Sequence, residues 1–193
     1  MRNRLCTIMP ERMVALSLLP PPNSCAAPAP FGYAALVITR RARSEAAFSL
    51  HAHGYGAGYD PLRMRSDIRR LFTPDTKALI YAPAPPHQHD RDLARISFPT
   101  AYLGLVPRSG LVSNIFASIP HDQLVNAAHI GGLMLSGPHP TPLQRVARIG
   151  VEAQAAWIFW LFKSCSPRLR RDLLAGHAAW RLLEQARRLR ARV

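Results

Sequence analysis

A chain of 193 residues, 48% hydrophobic and with a mean hydropathy of −0.03, carries enough apolar surface for a real core, which excludes a disordered linker or tail. A formal charge of +14 and a pI near 11.2 exclude an acidic, self-solvating protein and favour polyanionic partners, nucleic acid first and an anionic membrane surface second. Lys77 and Lys163 are the only lysines, and an arginine excess of this kind is also what a GC-rich coding sequence produces, so composition alone leaves the origin of the charge open.

Residues 1–30 read as a poorly ordered lead-in. Arg2, Arg4 and Arg12, the apolar run from Met13 to Leu19 and Cys25-Ala26-Ala27 imitate a secretory signal. The run is too short for one and ends in Pro20-Pro21-Pro22, so a short first strand over Met13–Leu19 is the preferred reading of that stretch. Residues 31–193 then form a single α/β domain. Phe31–Thr39 is rich in β formers. After a polar turn, Ala46–His53 sets Phe48, Leu50 and Ala52 against Ser49, His51 and His53, the alternation of a hairpin strand with one buried face. Gly54, Gly56 and Gly58 mark a loop whose spacing does not match a dinucleotide fingerprint. Asp60-Pro61 opens a helix through Leu62, Met64, Ile68, Leu71 and Phe72, closed by Thr73-Pro74, and Ala78–Tyr81 is a buried strand.

Beyond Pro83 the pattern weakens. Ile96–Phe98 and Ala101–Val106 are strand candidates, and His121–Leu135 reads as a helix weakened by Gly131-Gly132. The C-terminus is the clearest part. Thr141-Pro142 and Ser166-Pro167 place a hydroxyl at the N-cap and proline in the first turn of two helices, 141–163 and 167–192. The first is apolar on all sides from Ile149 to Phe162, as a buried helix is. The second carries a Leu169, Leu173, Gly176, Trp180, Leu183 stripe opposite Arg170, Arg171, Arg181, Arg188 and Arg192. The predicted fold is therefore α/β or α+β, a mixed sheet with a C-terminal helical pair. No apolar run reaches the length of a membrane span. Three widely spaced cysteines, Cys6, Cys25 and Cys165, suggest reduced thiols and a cytoplasmic setting.

The segment Pro28-Ala-Pro30-Phe-Gly32-Tyr33-Ala34-Ala35-Leu-Val, a basic turn and then Phe48-Ser49 resembles the first hairpin of the ribonuclease H family. The helix bearing Arg63-Met64 and the strand after it also come in that family's order. The resemblance implies a ribonuclease H-like mixed sheet. It also implies an acidic cluster holding two divalent ions that clamp the attacking and leaving oxygens of a phosphodiester. That cluster is not matched. No Asp precedes Asp60, Ala82-Pro83 stand where an Asp is expected after the Ala78–Tyr81 strand, and only Asp67 falls near a family carboxylate. Asp90, Asp92 and Asp122 lie elsewhere without a demanding spacing. The expectation is a non-catalytic or degenerate relative.

Two sets of residues stand out for function. Arg181, Arg187, Arg188, Arg190 and Arg192, on the last helix, pair with phosphate oxygens in two-point contacts and form the predicted nucleic-acid surface. His51 and His53, alternating on one strand, with His87, His89 and Asp90 in a later loop, are the alternative: a divalent-metal site of a hydrolase. No cofactor is favoured by any other motif. A third use of the C-terminal helices, as a protein-interaction or membrane-surface module, rests on their exposed charge and on Trp157, Phe159, Trp160 and Phe162.

Overall fold

The computed structural model describes residues 6–19, 32–54, 61–73, 76–81, 119, 121–135 and 142–191. Its centre is β1 (Arg12–Leu19), whose side chains from Met13 to Leu18 are all buried. β1 pairs antiparallel with β2 (Gly32–Arg40), which pairs antiparallel with β3 (Ala46–Gly54). On its other side β1 pairs in parallel with β4 (Thr76–Tyr81), giving the sheet order β3-β2-β1-β4. The expected lead-in thus contains the central strand, as the strand reading of Met13–Leu19 anticipates. Arg12 ties the strand to the helix: its guanidinium donates to the carbonyl of Leu71, just past the end of α1 (Pro61–Arg70).

The alternation of β1 and β2 splits the core in two. Val14, Leu16 and Leu18 with Tyr33, Ala35 and Val37 meet Met64 and Ile68 of α1 on one face. Met13 and Ala15 with Ala34, Leu36 and Ile38 meet the remaining helices on the other. Those helices are α2 (His121–Ile130), α3 (Pro142–Ser164) and α4 (Pro167–Arg190). α3 lies across all four strands, while α2 and α4 pack against α3. This is a mixed sheet with helices on both faces, in the α/β or α+β class. Ile96–Phe98, Ala101–Val106, Thr141 and residues 20–31 lie outside the described residues.

α2 is shorter than its sequence suggests. It ends at Ile130, and Gly131-Gly132 form its C-cap rather than a weak interior. Gly132 adopts φ +61°, the Gly132 N–H bonds the His129 carbonyl, and the Leu133 N–H bonds the Ala128 carbonyl, a Schellman closure. Tight packing fits the pair: a Cβ on Gly131 would fall 2.3 Å from Cδ1 of Ile158. At the α3–α4 junction Ser166 is the N-cap residue and Pro167 the first helical one, but the Ser166 hydroxyl makes no cap bond. The junction is held by an early segment instead. The Cys6 N–H donates to the Ser164 carbonyl and the Ser166 N–H to the Cys6 carbonyl, a one-residue parallel bridge pairing Cys6 with Cys165. Burial, with Cys6 adding to it, pushes the Cys165 thiol up to about 12.

α3 is buried on all sides from Ile149 to Leu161, apart from the half-buried Val151 and Phe159. At its middle Trp157 is fully enclosed, edge-on to Phe48 of β3 and tilted against His177 of α4. Trp180 stacks on the same group. His177 takes the core position that the expected stripe gives to Gly176, and Leu183 of that stripe is on the surface, because among the described residues no other element extends far enough to cover it. Gln154 donates its amide hydrogen to the Gly150 carbonyl, which leaves its oxygen to accept from Nε2–H of His177 at 3.1 Å. Among the described residues the Trp157 indole N–H has no acceptor.

Two expectations follow. Trp157→Ala should cost about 3–5 kcal/mol in urea unfolding, and Trp157→Phe much less, since it keeps a ring and removes an unsatisfied donor. Equal losses would mean that the indole nitrogen has a partner. Burial, reinforced by Arg181, lowers the His177 pKa from 6.5 to about 3. The unfolded chain therefore takes a proton that the folded one refuses. Stability should fall as pH drops from about 6.5 towards 3, by roughly 1.4 kcal/mol per unit where the two states differ fully. A raised Glu152 pKa acts in the opposite sense at the acid end, so the informative quantity is the difference between wild type and His177→Gln. Parallel pH profiles for the two proteins would refute the assignment.

Candidate nucleic-acid interface

α4 has 24 residues and a length of about 36 Å, and among the described residues its fully buried side chains all lie in its first half. Leu169, Leu173 and His177 are buried, Trp180, Arg181 and Glu184 are partly covered, and Gln185 to Arg190 are exposed. The overhang continues the side of the helix that faces the sheet. It leaves a cleft of about 400 Å³ between the edge strand and the helix, lined by Leu50, Gln154, Trp180, Arg181, Glu184 and Arg188.

The predicted arginines divide by environment. Arg181 is turned inward: its guanidinium donates to the Gly131 carbonyl at 2.6 Å and to the Gly132 carbonyl at 3.1 Å, closing the C-terminus of α2. The burial that this entails lowers its pKa. Arg187 and Arg188, with side chains 77% and 64% exposed, share the single carboxylate of Glu184 at 3.8 and 3.4 Å. Contacts of this length at an exposed helix surface are weak, so both guanidinium groups remain free to exchange Glu184 for an anion. Arg190 is exposed one turn further on, and Arg192 lies outside the described residues. Arg170, on the N-terminal half, stacks over the Phe162 ring at 4.3 Å.

The histidines are only partly in view. His51 and His53 alternate on β3, opposite Ala35 and Tyr33, and His53 rests against the Tyr33 ring. His51 is within hydrogen-bond distance of the Ser49 hydroxyl, and burial, together with the positive charge of His53 and Arg12, lowers its pKa. His87, His89 and Asp90 lie outside the described residues. Among the described residues no three His, Cys, Asp or Glu side chains are grouped as metal ligands.

The carboxylates are dispersed. Asp67 sits on α1, 3.7 Å from Arg70, and raises the pKa of Tyr33 on that face, with burial as the larger cause. Glu152 of α3 is on the opposite face, 3% exposed, between the C-terminal ends of the parallel strands β1 and β4. Sequence patterning does not single it out, although a lone acid within an apolar helix is a signal. The Ser17 hydroxyl donates to its Oε2 at 2.9 Å and Arg148 Nε to its Oε1 at 3.0 Å. Burial raises the Glu152 pKa against these two bonds, and burial beside Glu152 pushes Tyr81 up to about 12. Asp122 is exposed in the first turn of α2. Among the described residues no helix is long and apolar enough to cross a membrane.

Among the described residues the overhanging end of α4 groups three exposed arginines, Arg187, Arg188 and Arg190, around the one carboxylate of Glu184. Comparison of the chain with protein-family models, with curated proteins and with solved structures finds no match.

Proposed function

We propose that the protein binds the phosphate backbone of nucleic acid through the overhanging end of α4, as a non-catalytic, ribonuclease H-like protein. The observation that carries this reading is the placement of Arg187, Arg188 and Arg190 on the exposed end of α4, with Glu184 as their one ion-pair partner among the described residues. From Pro167 onward the chain holds eight arginines against Asp172 and Glu184. Guanidinium groups present fixed forks of donors to phosphate oxygens. Trp180, half-buried, lines the same cleft as Arg188 and adds aromatic surface of the kind on which unpaired bases stack. The order hairpin, helix, parallel strand agrees with the resemblance of the sequence to the ribonuclease H family. The separation of Asp67 from Glu152 on opposite faces of the sheet supports the non-catalytic form of that reading.

Binding of this type is electrostatic and indifferent to sequence. Affinity for duplex DNA should fall steeply with salt, and an Arg187, Arg188, Arg190→Gln variant should lower the log–log slope by about 0.9 for each arginine–phosphate pairing it removes. Fluorescence anisotropy across a salt series measures both. Equal affinity of variant and wild type, or no binding at low salt, would show that the arginines serve no polyanion.

A further inference from the structure

The cleft between β3 and α4 is more than an extension of the arginine surface. Leu50 and Trp180 give it apolar wall, while Glu184, Gln185 and Arg188 line it with polar groups. Gln154, also in the lining, is already committed, its amide to the Gly150 carbonyl and its oxygen to His177. Trp180 is held in place by its neighbours. Its ring lies 5.8 Å from Phe48 and 5.5 Å from His177, tilted by 35° and 32°. An aromatic ring fixed in this way stacks on a ligand without losing further side-chain freedom. Of the three tryptophans it alone has surface to offer, since Trp157 and Trp160 are 0% and 3% exposed.

We propose that the cleft takes one unpaired base of a single-stranded nucleic acid, stacked on Trp180, with the flanking phosphates on Arg187, Arg188 and Arg190. This rests on the polyanion reading and narrows it to a strand whose bases are open. Charge decides which part of the strand enters. The Glu184 carboxylate lines the cleft and opposes a phosphate there, whereas a base is neutral and brings N–H donors to it. Glu184 is held by Arg187 and Arg188 through exposed contacts of 3.8 and 3.4 Å. Such contacts are weak, so phosphates can take the two arginines and leave the carboxylate to accept from the base edge. Size agrees, because a cleft of about 400 Å³ is at the lower end of small-ligand sites and has room for a base with its sugar. Trp180 and Arg188 are about 12 Å apart along the helix axis, so one short run of strand reaches both. In a duplex the faces of the bases are covered by their neighbours. A paired strand can therefore reach the arginines but cannot stack on Trp180.

The test uses the full wild-type chain and three DNA probes of about ten nucleotides: a single strand, the same strand with tetrahydrofuran abasic analogues throughout, and a duplex. The first two carry the same phosphates and differ only in their bases. At about 50 mM salt the intact strand should bind at least about fivefold tighter than the abasic one by anisotropy. It should also quench the tryptophan fluorescence, which neither the abasic strand nor the duplex should do. In Trp180→Leu, with circular dichroism unchanged, the preference for the intact strand should disappear. The comparison of strands is made on the wild type and so does not depend on how the variant folds. Equal, salt-sensitive binding of intact and abasic strands would overturn the base site and leave the polyanion reading standing. A folded Trp180→Leu that keeps the full preference would overturn the base site as well. No binding of any probe would overturn both readings together.

Discussion

A strand that is apolar on both sides has to be covered twice, and β1 imposes that condition on the whole molecule. Its alternate residues belong to two separate cores. One face is satisfied simply, by ten residues of α1. The other is taken by α3, which is itself apolar around its circumference and so needs covering in turn. α2 and the first half of α4 supply that cover. The second half of α4 is what remains when the requirement has been met, and Arg187, Arg188 and Arg190 are exposed there.

The regular elements are legible in the sequence where one pattern dominates. Alternation in Ala46–His53, the proline starts at Pro142 and Pro167, and the all-round apolar character of α3 each correspond to an element. The departures have local causes. Gly131-Gly132 costs helix stability in isolation, but positive φ at Gly132 and contact with Ile158 make the pair a terminus. The α4 stripe rests on spacing alone, and spacing does not say where the neighbouring layer ends. Leu183 therefore has the spacing of a buried residue without being one. His177 shares the four-residue spacing of Leu169 and Leu173, but a histidine is passed over in an apolar pattern, and its hydrogen-bond partner Gln154 is distant in sequence.

The arginines show the same limit from the other side. Arg181 and Arg188 occupy one face of one helix and look equivalent in sequence. Arg181 meets the carbonyls at the end of α2, and among the described residues Arg188 pairs with Glu184 alone. Charge is readable and its commitment is not, since commitment depends on which backbone carbonyls lie within reach. Glu152 belongs to the same class. Its two hydrogen bonds come from β1 and from its own helix, and without them an acid at that depth would be costly.

The bridge between Cys6 and Cys165 has a consequence for the order in which the molecule is assembled. It joins positions at the two ends of the fold, and β1, which follows Cys6 directly, is covered on one face by α3. During synthesis, at some 5–20 residues per second, the apolar strand must wait several seconds before its covering helix leaves the ribosome. Contacts of such separation also make closure slow, because chain entropy is lost before packing compensates for it. On that face Met13 and Ala15 therefore stay without their α3 cover for the whole of that interval.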